Sequence, residues 1–113
     1  MLQIYGIPNC DTVQKAIKWL KSNEIEFEFH DYKKEGVTKK KIDNWLKKVP
    51  IEKLFNKAST PYKELPAEEK PTTPEEMIKL MIAQPTSIKR PVVEFDKGVL
   101  AGFKEEVYEK ELL

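Results

Sequence analysis

Few residues in this chain can do chemistry. Cys10 is the only cysteine, and a cysteine reacts through its thiolate. An ordinary thiol, with a pKa of about 8.5, is largely protonated at neutral pH, so a working cysteine needs surroundings that favour the anion. A single cysteine forms no internal disulfide, and with a single histidine, His30, it forms no Cys/His zinc site. Arg90 is equally isolated. Among 20 basic residues it is the sole arginine, hence the only side chain able to grip an oxyanion or carboxylate with a bidentate fork.

The elements around Cys10 give it a place to act. Leu2 to Ile7 alternates apolar and polar residues and reads as a strand, and Pro8-Asn9 breaks it. From Asp11 the period changes: Val13, Ala16, Ile17 and Leu20 stand at i, i+3, i+4 and i+7, one face of a helix that fades near Ser22-Asn23. Asp11 or Thr12 is the expected N-cap. Cys10 then sits at a strand–helix junction, where free N–H groups and the positive end of the helix dipole favour a thiolate. Such effects run at about 0.3–2 kcal/mol, against about 1.4 kcal/mol per pKa unit. Lys15 adds to them and Asp11 opposes them. The residue three after Cys10 is Val13, so there is no CxxC pair, and a reductase built this way depends on an external thiol. Ala16 likewise excludes the Cys-x5-Arg loop of tyrosine phosphatases.

Further along, Ile25, Phe27 and Phe29 alternate with Glu26, Glu28 and His30 as a second strand, and Lys34 to Gly36 reads as a break. Ile42, Trp45, Leu46 and Val49 mark a helix ended by Pro50. Ile51 to Phe55 is a short apolar piece, Asn56 to Pro61 a polar loop, and residues 62–71 a loop or short helix. Thr73-Pro74-Glu75-Glu76 has the form of a capping box opening a helix with Met77, Leu80 and Met81, which stops before Pro85. Val92 to Phe95 and Val99 to Ala101 flank Asp96-Lys97-Gly98 as an antiparallel hairpin, and residues 104–112 form a terminal helix. The order β-α-β, helical stretch, β-β-α predicts an α/β chain with a thioredoxin-like (glutaredoxin-like) mixed sheet. Residues 1–33 and 86–113 would form its core and 37–84 an inserted helical subdomain, within one domain over 1–113. His30 faces the polar side of its strand, a structural or surface role, and Trp19 and Trp45 are packing residues.

The bulk numbers bound the function. A chain of 113 residues suits one domain. A net charge of +1 lacks the basic excess of a DNA-binding or polybasic membrane-binding protein. No apolar stretch approaches the ~20 residues that span a bilayer. The first residues also lack the basic flank and long apolar core of a signal peptide. A cytoplasmic, monomeric protein is expected.

Ile4-Tyr5-Gly6-Ile7-Pro8-Asn9-Cys10-Asp11-Thr12 with Lys15-Ala16, Phe29-His30-Asp31-Tyr32, Ile88-Lys89-Arg90-Pro91-Val92-Val93 and Gly102-Phe103 together resemble the ArsC/Spx family. They are most like its YffB-like, arsenate-reductase-related branch. The resemblance spans nearly the whole chain. It implies a thioredoxin-like domain with a helical insertion, a nucleophilic Cys10 and a cis Pro91. In arsenate reductases of this family the cysteine attacks arsenate held by arginines, and glutathione and glutaredoxin release arsenite. Arg90 falls on one of those arginine positions, where it would hold an oxyanion substrate or a glutathione carboxylate. Gly6 replaces a family histidine. The other two arginine positions fall in the loop Leu54 to Thr60, where Lys57 offers a charge without the fork, and near Phe103-Lys104.

The expected function is a thiol oxidoreductase related to glutathione/glutaredoxin-dependent arsenate reductase, with Cys10 as nucleophile and Arg90 beside it. Asn9, Asp11 and Thr12 would shape the loop. Lys15 and Lys57 would bind anionic groups, and Pro91 would flank the thiol. Glutathione would be a co-substrate, with no resident cofactor or metal. The alternative is an Spx-like regulator binding the RNA polymerase α subunit, although Val13 denies it the CxxC pair such regulators use as a redox sensor.

Overall fold

The alternating stretch near the N-terminus is the first strand in a computed structural model of the chain, which describes residues 1–113. In order, the elements are β1 (Leu2–Gly6), α1 (Asp11–Ser22), β2 (Phe27–Asp31), α2 (Tyr32–Glu35), α3 (Lys39–Leu46), α4 (Ile51–Leu54), α5 (Thr60–Lys63), α6 (Pro74–Ala83), β3 (Val92–Phe95), β4 (Gly98–Ala101) and α7 (Glu105–Leu112). They divide into two compact units, Met1–Asp31 with Arg90–Leu113, and Tyr32–Lys89.

The first unit holds one sheet in the order β2-β1-β3-β4. β1 and β2 are parallel, with Tyr5 opposite His30, and α1 is their crossover. β1 and β3 are antiparallel, as are β3 and β4. A parallel βαβ unit beside an antiparallel hairpin is the thioredoxin-like α/β arrangement expected from the sequence. Because side chains alternate along a strand, Leu2, Ile4 and Val93 share one face. There they bury with Ala16, Trp19 and Leu20 of α1 and Tyr108 of α7. Trp19 meets Tyr108 edge-on, ring centroids 5.6 Å apart.

α1 ends at Ser22 with Asn23 as its C-cap, where its pattern fades, but its N-cap and the onset of β2 differ from expectation. The N-cap is Cys10 itself rather than Asp11 or Thr12, because Asp11 already has helical backbone and Cys10 is the last extended residue, at φ −111°, ψ 126°. At the other end, Glu24 takes a left-handed φ of 57°. Its N–H donates to the Lys21 carbonyl and that of Ile25 to the Leu20 carbonyl. This is a Schellman motif, in which the residue after the cap turns left-handed to satisfy the last carbonyls. It consumes Ile25, so β2 starts at Phe27.

The second unit is helical. Thr38 caps α3, accepting from the Lys41 N–H at 3.2 Å, and Thr73 with Glu76 forms the capping box of α6. Ile42, Trp45, Leu54, Met81 and Ile88 are fully buried, and the Trp45 ring lies 6.4 Å from that of Tyr32. The expected break at Lys34 to Gly36 is instead the helical turn α2, ended by Gly36 at φ 71°. The expected loop 56–61 already contains the start of α5. Lys70 secures the far end of α5: its Nζ donates to the carbonyls of Tyr62 and Leu65, each at 2.7 Å, and of Lys63 at 3.2 Å. The Tyr62 carbonyl also accepts from the Leu65 N–H, so Lys70 adds to the closure of this helix end. No helix of the chain is long and apolar enough to cross a membrane.

Candidate functional site

The site begins where β1 runs out. At Gly6 a side-chain Cβ would lie 2.8 Å from Val13 Cγ2. Glycine here lets α1 sit closer to the strand than any other residue would. Where the family resemblance sets a histidine, this chain therefore has a steric requirement for no side chain at all. After buried Ile7 the backbone turns through exposed Pro8 and Asn9 to Cys10.

Cys10 is half-buried and unpaired. Its carbonyl accepts the first helical bond, from the Gln14 N–H at 2.9 Å, but its side chain makes no capping bond. An N-cap side chain ordinarily accepts from the N–H of the second or third helical residue, here Thr12 and Val13. With a sulfur in that place, the donors and the dipole of a twelve-residue helix are left to act on an anion at the thiol. Asp11, Thr12 and Lys15 are exposed on the first turns of the same helix. The Asp11 carboxylate favours the helix start and disfavours a neighbouring thiolate, while Lys15 does the reverse.

Arg90 and Pro91 reach this end of the sheet by register. β3 runs antiparallel to β1 with Val92 opposite Tyr5, so the residues just before β3 lie alongside those just after β1. The Arg90–Pro91 peptide bond is cis, Pro91 is buried, and its carbonyl accepts from the Gly102 N–H at 2.8 Å. The half-buried Arg90 side chain is engaged in no salt bridge, which leaves its fork available to a carboxylate or oxyanion. Asn9, Cys10, Asp11, Thr12, Lys15, Arg90 and Pro91 all belong to the first unit, Asn9 and Cys10 just after β1 and Arg90 and Pro91 just before β3. Lys57 is not among them. It is exposed in the second unit, on a turn where Asn56 Oδ1 accepts from the Ala58 N–H at 3.0 Å.

His30 lies on the sheet face opposite α1. It stacks on Tyr5 at 4.6 Å between centroids, bonds to Gln3 Oε1, and has Glu28 at 3.2 Å. Tyr5 in turn donates to Glu94 at 3.3 Å. Gln14, which no sequence motif marks, donates through its side-chain amide to the Pro8 carbonyl at 2.5 Å. A glutamine four residues into a helix carries no signal of that contact.

The ArsC family model matches residues 5–111. A solved structure of an arsenate reductase (ArsC) related protein from Brucella melitensis is 44% identical, covering 97% of this chain and 92% of its own, with a TM-score of 0.77. A structure named as the YFFB protein is 36% identical over the full length of both chains, with a TM-score of 0.93. Among curated relatives, the global transcriptional regulator Spx 1 of Lactococcus lactis is 25% identical, covering 94% of this chain and 84% of its own.

Proposed function

Because the chain belongs to the ArsC family, we propose that it is a cytoplasmic thiol oxidoreductase that uses Cys10 as nucleophile and glutathione as co-substrate. The observation that carries this reading is the sole cysteine standing as the N-cap of α1 with its sulfur uncommitted. In the reaction, the Cys10 thiolate attacks the glutathione sulfur of a mixed disulfide. A Cys10–glutathione bond forms, the substrate's S–S bond breaks, and the substrate sulfur leaves as a thiolate that takes a proton from solvent. A second glutathione thiolate then attacks the glutathione sulfur of this adduct, giving oxidised glutathione and regenerating the Cys10 thiolate. The external thiol is required because no second cysteine exists to resolve the adduct. Arg90 holds a glutathione carboxylate during both steps. An arsenate-type oxyanion would occupy the same ground, with one arginine to bind it. Glutaredoxin, a protein thiol, would release the adduct in place of the second glutathione.

Incubation with oxidised glutathione followed by intact-mass measurement tests the reading. A single adduct confined to Cys10, and turnover of a glutathione mixed disulfide, support it. An inert Cys10 with no turnover of either the mixed disulfide or arsenate overturns it. A second reading, a regulator that binds the RNA polymerase α subunit, is favoured by the likeness to Spx 1. Micromolar binding to the C-terminal domain of that subunit would support it, and absence of binding would remove it.

A further inference from the structure

We infer that Gln14 is a positioning residue for Cys10, holding the turn that presents the thiol so that Cys10 is released from the structural duty of an N-cap. The inference rests on the reading of Cys10 as a reactive thiol.

An N-cap side chain ordinarily ties the entering chain to its helix by a hydrogen bond to the first turn. A cysteine that must ionise and react is poorly suited to that task, and the Cys10 side chain does not perform it. Gln14 performs it from inside the helix. Its backbone N–H donates to the Cys10 carbonyl at 2.9 Å, and its side-chain amide reaches back to the Pro8 carbonyl. One residue thereby grips the turn at both ends, with Asn9 exposed between them. Proline offers no N–H of its own, so its carbonyl is the polar backbone group available at that point. Beneath the turn, Gly6 and Val13 fix the approach of helix to strand. The two contacts restrain the Pro8–Asn9–Cys10 backbone and so hold Cys10 at the N-cap position of α1.

The test follows the rate of Cys10 alkylation by iodoacetamide across pH, by intact mass, in the wild-type chain and in Gln14→Met and Gln14→Glu. Methionine keeps the length and helix preference of glutamine without the amide. Glutamate keeps the shape and replaces the donor with an acceptor. Gln14 is exposed, so both variants are expected to melt close to the wild type. The expected result is a loss of roughly three- to tenfold in rate at pH 7 in both variants, with the pH–rate midpoint displaced upward. A lower melting temperature with an unchanged pH–rate profile would assign Gln14 a merely structural role and overturn the inference, as would profiles that superimpose on the wild type throughout. If the wild-type profile is already that of an ordinary exposed thiol, the reactive-thiol reading itself fails, and the role of Gln14 with it.

Discussion

Tyr5 of β1 stands opposite Val92 of β3 in antiparallel register. The pairing has a consequence beyond the sheet. The chain that leaves β1 for Cys10 and the chain that arrives at β3 from Arg90 meet at one end of the strands, though the two residues are eighty positions apart. The segments that carry the chain's one cysteine and its one arginine thus lie at the same end of the sheet, with no need of a local motif.

If Arg90 holds a glutathione carboxylate, its removal weakens binding more than chemistry. Charge-assisted hydrogen bonds are worth about 1.5–3 kcal/mol, so Arg90→Ala should raise KM for a glutathione mixed disulfide roughly 10- to 100-fold. Arg90→Lys should recover only part of this, because an ammonium is a point charge without the fork. Alkylation of Cys10 by neutral iodoacetamide, which has no carboxylate to bind, should change far less than KM. Unaltered KM values in both variants would remove Arg90 from the site.

Cys10 occupies a position that stability alone would give to another residue. Serine is among the preferred N-caps and alanine among the poor ones, with a difference of about 0.5–2 kcal/mol. Cys10→Ser should therefore be more stable in urea than Cys10→Ala by that amount, while both lose the glutathione adduct completely. Equal stability of the two variants would mean that position 10 does not cap α1.

Much of this was legible in the residues, and the gaps have physical causes. The period change from two to 3.6 across Pro8-Asn9 located the strand–helix junction, and the Thr73–Glu76 spacing located a capping box that the structure contains. The cap of α1 was misplaced because aspartate and threonine cap helices far more often than cysteine does, whereas the backbone makes Cys10 the last extended residue before the helix. The onset of β2 was set too early because nothing in Asn23-Glu24 announces a left-handed residue. Glutamate is rare in that conformation, which glycine and asparagine favour, and Ile25 keeps the alternation while serving the helix end. The grip of Lys70 on three carbonyls was invisible for another reason, since one lysine among so many is by default a solvated charge.

Gly6 offers a test of the strand–helix approach. Gly6→Ala places a Cβ against Val13 Cγ2, well inside contact distance. Overpacking of this kind costs about 1–3 kcal/mol. In a Val13→Ala background the obstructing methyls are gone, so the same substitution should cost clearly less. Urea unfolding of the four members of this double-mutant cycle measures the coupling. Equal costs of Gly6→Ala in the two backgrounds would show that the close approach to Val13 is not what requires glycine.

Tyr108 ties the last helix to Gly102, the residue that follows β4. Its hydroxyl is buried and donates to the Gly102 carbonyl at 2.7 Å, while the Gly102 N–H donates to the Pro91 carbonyl. Burial holds the phenol neutral and raises its pKa above the ordinary value near 10. A folded-state pKa raised in this way contributes stability that is fully present below pH ~10. It is lost as pH rises above that value, because the unfolded chain ionises first. Tyr108→Phe removes both the hydrogen bond and the titration. At pH 7 the variant should be less stable by about 1–3 kcal/mol, the cost of leaving a buried carbonyl without its donor. At pH 11 the wild type alone pays the ionisation penalty through Tyr108, so the gap between the two should narrow. Urea midpoints at the two pH values measure it, and a gap of the same size at both would mean that the buried phenol does not couple folding to alkaline pH.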